Sequence, residues 1–304
     1  MIFTPGERQA VWEAWGVDAV TFESRPTLRE PALICAFAGW NDGGESASGA
    51  ARFLREAWGA TRFATIDPEE FFDFQVNRPT VRLIDGVTRH IEWPRNDFFH
   101  ASAGTRDVVL FTGIEPNNKW RGFCEAIVAV GREVDADTLV TLGGFLADMP
   151  HTRAIRVAGS APTQEEAEAL GVAASRYEGP TGIVGVLQDV ANRAGLRALS
   201  LWAAVPHYLP AGPNPKAALA LVERLGRLLE VPIDTAPLSA LATTWEERVD
   251  ATVAENDELS EYVRRLEAGA DQAEEDELEI PSGDELAREL ERFLRRQGGG
   301  EGER

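Results

Sequence analysis

The chain has 304 residues, 44% of them apolar, enough for a large folded domain with an appendage and inconsistent with a disordered chain. Its 30 Lys and Arg against 50 Asp and Glu leave a formal charge of −20, which repels phosphate backbones and anionic bilayers and removes nucleic acid and membrane from the expected partners. Cys35 and Cys124 are too few for a disulfide framework and lack zinc-ligand spacing, and no apolar run reaches the ~18 residues of a membrane span, so we expect a cytoplasmic protein with two core thiols, no metal and no cofactor.

The first 245 residues alternate between strand-like and helix-like segments, which predicts a mostly parallel sheet with helices on both faces. Residues 32–38 are continuously apolar, as a strand buried on both faces should be. A helix over 45–58 and a strand over 62–66 follow. Segments 80–84 and 88–93 flank Asp85-Gly86-Val87, the pattern of an antiparallel hairpin. Next come a strand at 107–111, a helix at 119–134 and strands at 138–142 and 154–158. Thr163 with Glu166 forms a capping box for a short helix, residues 182–194 form another, and 198–205 are the last core strand. Pro215 opens a helix at its favoured first position.

Charge divides the chain unevenly. Residues 246–304 hold 20 acids and 8 bases, so this last fifth carries more than half of the net charge. Val249, Val253, Leu259, Val263 and Leu266 recur at helical spacing, predicting one amphipathic helix over 244–267. An acidic linker over 269–279, a helix opened by Ser282 and Glu285, and a disordered 298–304 complete the region. We therefore divide the chain into an α/β domain at 1–245 and an acidic helical region at 246–304.

Ligands of open parallel sheets bind outside the carboxyl ends of the strands, so the polar loops after strands 32–38, 107–111, 138–142 and 198–205 are the candidate site. They contribute Asn41, Asp42, Glu115, Asn117, Lys119, Asp148, His151, Arg153, His207 and Tyr208, and Arg78 stands ready for a carboxylate in Asn77-Arg78-Pro79. Asp42, Glu115, Lys119, Asp148, His151 and His207 are the catalytic candidates; Asn41, Arg78, Asn117, Arg153 and Tyr208 are the binding ones. Each also has a structural reading. Residues 39–44 lack a phosphate-loop pattern, and Asp42 would repel a phosphate, so Asn41 and Asp42 fit helix capping better. Glu115 and Lys119 make an acid–base pair or an i,i+4 ion pair. His151 and His207 share a metal with Asp148 or each bond a loop carbonyl, the second being favoured. Trp40, Trp93, Trp120 and Trp202 read as core or interface area.

Several stretches together resemble the PAC2 family, the proteasome assembly chaperone 2 family. They are 33–42, Phe71-Phe72-Asp73-Phe74-Gln75 with Asn77-Arg78-Pro79, Asp148-Met149-Pro150-His151-Thr152-Arg153, Gly179-Pro180-Thr181-Gly182 and Trp202-Ala203-Ala204-Val205-Pro206-His207-Tyr208. With 281–285 and 293–295 they are similar to its longer actinobacterial branch. The resemblance implies an α/β core similar to the phosphorylase/hydrolase-like fold with a helical C-terminal addition. It also implies a non-enzymatic binding or assembly-chaperone role, with proteasome subunits as partners, and a homo-oligomer. Such chaperones can end in a hydrophobic-Tyr-X tail; this sequence ends Gly300-Glu301-Gly302-Glu303-Arg304, so docking is expected through another surface. The alternative is a hydrolase- or phosphorylase-like enzyme using the strand-end loops.

Overall fold

The computed structural model describes residues 19–169, 173–174, 179–209 and 212–272. In chain order its elements are β1 (Val20–Phe22), β2 (Ala32–Ala38), α1 (Ser46–Ala57), β3 (Thr61–Ile66), β4 (Thr80–Ile84), β5 (Thr88–Glu92), β6 (Asp97–Ser102), β7 (Asp107–Ile114), α2 (Trp120–Glu133), β8 (Thr138–Ala147), β9 (Val157–Ala161), α3 (Gln164–Ala169), β10 (Ala173–Ala174), α4 (Ile183–Arg193), β11 (Arg197–Pro206), α5 (Pro215–Leu229), α6 (Ala236–Ala254) and α7 (Asp257–Gln272). The predicted final helix and tail beyond 272 lie outside the described residues.

Strand β2 is apolar throughout because it sits at the centre of the sheet, parallel to β7 on one side and β8 on the other. The order β1-β3-β6-β7-β2-β8-β11-β9-β10 puts four parallel strands side by side in the middle, with antiparallel strands flanking them. Side chains alternate across a strand, so β2 feeds two cores. Leu33, Cys35 and Phe37 pack with Phe111, Phe123, Ile127 and Leu187 under α2 and α4. Ile34 and Ala36 pack with Ala50, Leu54, Leu221 and Leu225 under α1 and α5. Each fully buried Leu or Phe there contributes about 1.5–3 kcal/mol. Both cysteines are buried, and desolvation pushes both thiols up from their ordinary values, as inert core thiols require.

Several boundaries differ from the sequence reading. The strand expected at 138–142 runs on to Ala147 through Gly143 and Gly144, paired with Trp202 and Ala203. The glycines keep it open to its neighbours: a Cβ on Gly143 would lie 2.5 Å from the Trp202 ring, and one on Gly144 2.0 Å from Ser46 Oγ. The strand expected at 154–158 lies at Val157–Ala161 and runs antiparallel to β11. Strand β6 was not anticipated: Asp97 and His100 interrupt its apolar pattern, and its burial comes from pairing between β3 and β7.

The single helix expected at 244–267 is two, because the chain breaks at Glu255 and Asn256. The Asn256 side chain accepts from Leu259 N at 3.0 Å and starts the second helix. Val249 and Val253 of α6 still meet Leu259 and Val263 of α7 in one cluster, together with Tyr208, Leu209 and Trp245. The apolar spacing thus marks a seam between two helices. The first four residues of the expected linker, from Gly269 to Gln272, continue α7. The 245/246 division falls inside α6.

Candidate functional site

The four central strands are parallel and contiguous, so the loops after β2, β7, β8 and β11 do share one rim. Strand order reverses between β2 and β8, where a ligand crevice is expected. In this chain that place is stitched shut. Gly144 N donates to Asn41 O at 2.9 Å, Asp42 bridges to Gly144, and a Cβ on Gly43 would lie 3.0 Å from Gly144 O.

The half of the rim above β2 and β7 consists of caps. Asp42 Oδ1 accepts from Ala47 N at 2.8 Å and Ser48 N at 3.1 Å, satisfying amides at the start of α1. Burial pushes the Asp42 carboxyl up from its ordinary value, and the Ser48 and Ala47 bonds pull against that shift. Helix α4 begins after Gly182, which has no side chain to cap it, and Glu115 supplies the acceptor: its Oε1 takes Ile183 N at 2.9 Å and Asn41 Nδ2 at 3.1 Å. A Cβ on Gly182 would fall 2.7 Å from the Asn41 amide, so glycine is what lets the three loops meet. The expected pairing of Glu115 with Lys119 does not form. Lys119 sits at the N-cap of α2 with φ 51° and bonds Glu70 Oε2 at 2.8 Å. Asn117 Oδ1 accepts from Asp73 N and Asn77 Nδ2, both at 2.8 Å, tying the loop before β4 to the rim. Arg78 is exposed beside Asn77 and does not join these groups.

The half above β8 and β11 is covered by α6 and α7. His151 is 1% exposed, and its Nε2 lies 2.9 Å from Asp250 Oδ1 on α6. Its Nδ1 lies 2.5 Å from the Tyr208 hydroxyl, which also accepts from His151 N at 2.8 Å. With Nε2 donating to the Asp250 carboxylate, Nδ1 accepts from the Tyr208 O–H. Desolvation pushes the Tyr208 phenol up to about 12, which keeps it a proton donor and is the opposite of an activated nucleophile. Lys216 Nζ donates to His151 O and to Glu246 Oε1, each at 2.6 Å. Arg153 makes a two-armed pair with Asp271 at 2.9 and 3.0 Å, and Thr152 donates to Glu267 at 2.5 Å.

His207 Nδ1 lies 3.1 Å from Asp148 Oδ1 and 3.3 Å from Ala147 O, and its Nε2 lies 3.2 Å from the Tyr262 hydroxyl on α7. His207 Nδ1 thus faces the Asp148 carboxylate as well as the carbonyl of Ala147 at the end of β8, and His151 uses a hydroxyl and a carboxylate in place of a loop carbonyl. The metal grouping of both histidines with Asp148 does not form, and no cluster of three His, Cys, Asp or Glu suited to a metal occurs among the described residues. Lys216, Glu246, Asp250, Tyr262, Glu267 and Asp271 were missed in the sequence. They lie on α5, α6 and α7, and nothing local in the sequence pairs them with the rim.

The profile of the PAC2 family matches residues 36–253. Two solved structures are similar over most of the chain. A PAC2 family protein from Streptomyces avermitilis is 44% identical with a TM-score of 0.71, covering 77% of this chain and 99% of its own. A proteasome-assembly chaperone homologue from Mycobacterium tuberculosis is 46% identical with a TM-score of 0.70, covering 76% and 99%. An archaeal proteasome activator from Pyrococcus furiosus shares the fold at 19% identity and a TM-score of 0.62, covering 77% and 97%. No curated protein matches the chain. No described helix is long and apolar enough to cross a membrane. With a profile match across more than two thirds of its length and relatives of this similarity, the chain belongs to the PAC2 family.

Proposed function

We propose that this protein is a non-enzymatic, assembly-chaperone-like binding protein of the cytoplasm that engages proteasome subunits and acts as a homo-oligomer. The observation that carries this reading is the 46% identity to a proteasome-assembly chaperone homologue that this chain matches over 99% of that protein. The rim supports it from the side of chemistry. Asp42 and Glu115 cap helices, His151 and Tyr208 hold α6, and His207 meets α7, so the groups an enzyme would aim at a substrate are bonded within the fold. This favours binding over the hydrolase- or phosphorylase-like alternative, which rests on fold analogy.

The test is reconstitution with purified proteasome α and β subunits from the source organism, followed by native mass spectrometry. A complex of this chain with α subunits, and faster appearance of the full particle, are expected. Assembly at the same rate with no complex at micromolar concentrations removes the proteasome link.

A further inference from the structure

Helices α6 and α7 cover the same half of the rim but are held differently. Helix α6 buries Leu238, Ala242, Val249 and Val253, and Lys216 and His151 fix its Glu246 and Asp250. Val263 is the one buried side chain among the described residues of α7. The rest of its hold is polar and reaches solvent: in the pair of Arg153 with Asp271 the two side chains are 42% and 58% exposed. Exposed pairs of this kind add little stability and weaken with salt. A helix of 16 residues is marginal on its own, so α7 depends on its docking to stay folded. The break at Glu255 and Asn256 places a joint between it and α6.

The surface under α7 has a definite pattern. Leu259, Val263, Glu267 and Asp271 follow at four-residue spacing, so one line along the helix runs from apolar to acidic. Its apolar end lies with Val249, Val253, Tyr208 and Trp245. Its acidic end lies on Arg153, 3.8 Å from Glu267 Oε1 and 2.9 Å from Asp271 Oδ1, with Thr152 donating to Glu267. Tyr262 stands edge-on to the rings of His207 and Tyr208, 5.8 Å from each centroid, and its hydroxyl lies 3.2 Å from His207 Nε2. Every receiving group belongs to α6 or to the loops after β8 and β11, so the surface is complete without α7.

We propose that this surface is a receptor for an acidic amphipathic helix of a partner protein, and that α7 occupies it in cis as an autoinhibitory segment. The partner helix carries an aromatic hydroxyl beside an apolar residue, then carboxylates one and two turns further on, as α7 does. Tethering gives α7 a local concentration on the order of millimolar, so a free helix of equal fit displaces it poorly and the partner must bring further contacts. The proposal rests on the binding-protein reading above. Its test uses no proteasome subunit, so a complex formed there and a failure here, or the reverse, are told apart.

The probe is a fluorescein-labelled synthetic peptide of residues 256–272, read by anisotropy against the full chain. Tyr262→Ala/Glu267→Ala/Asp271→Ala removes the docking side chains of α7 and leaves the receiving groups in place, with circular dichroism and amide exchange in α1 and α4 checking the fold. This variant is expected to bind the peptide at least about tenfold more tightly than the wild type does. Adding Arg153→Glu is expected to weaken that binding at least about tenfold, and a peptide carrying Glu267→Lys and Asp271→Lys is expected to restore it. In the wild type, α7 amides are expected to exchange at least about tenfold faster than those of α6. A freed chain that ignores the peptide, a wild type that binds it equally well, a charge reversal that has no effect or is not rescued, or an α7 that exchanges as slowly as α6 each overturns the proposal.

Discussion

The two halves of the strand-end rim are closed by different means. Above β2 and β7 the closing groups belong to the α/β core, where Asp42 and Glu115 satisfy amides at the starts of α1 and α4. Above β8 and β11 they reach out to helices that follow the core in sequence: His151 to Asp250, Arg153 to Asp271, His207 to Tyr262. The first half cannot open without undoing helix starts. The second is a polar latch over a small apolar seam, with α6 also held to the second core through Leu238. Polar loops at the end of a parallel sheet therefore report closure as readily as catalysis.

The largest effect is expected at the seam between the halves. Gly144→Ala drives a Cβ into Ser46 Oγ and Gly43 O, and should cost about 3 kcal/mol in urea unfolding. A loss under 1 kcal/mol would mean that the β2 and β8 loops are not held as tightly as drawn. His151→Ala removes a buried imidazole bonded at both nitrogens from the latch, and about 2 kcal/mol is expected. Its signature is faster amide exchange in α6 and α7 with α1 and α4 unchanged; equal loss in all four would merge the two halves into one unit. Glu115→Ala should cost about 1–2 kcal/mol and expose the first amides of α4 while leaving α6 and α7 protected.

The smallest expected effect is a pH dependence confined to the latch. The Tyr208 phenol is raised from 10.0 to about 12, so the native state holds this proton more tightly than the unfolded chain does. Its contribution is complete below pH 10 and is lost as pH rises toward 12. In Tyr208→Phe that alkaline decline should shrink, seen as a flatter melting temperature between pH 9 and 11.

Local features were legible because a few neighbouring residues decide them. The apolar run of β2 is one. The Asp85-Gly86 turn is another, and the helix opened by Pro215 is a third. The Thr163 box is a fourth, with Glu166 N donating to Thr163 Oγ1 at 3.2 Å. The four polar loops were also identified, and the parallel order brings them to one rim. What those loops bond to was not legible. Lys119 takes Glu70, 49 residues away, in place of Glu115, and His151 takes Asp250, 99 residues away.

The sequence by itself determined where most helices start, which strand lies at the centre and that an acidic helical region follows the core, since capping, periodicity and composition act over one or two turns. Only the tertiary structure decided that β8 runs on through two glycines, that β6 is a strand, and that the last described helices seal half of the rim. Those outcomes depend on which distant backbone edge or carboxylate arrives opposite, and that is set by how the chain closes on itself.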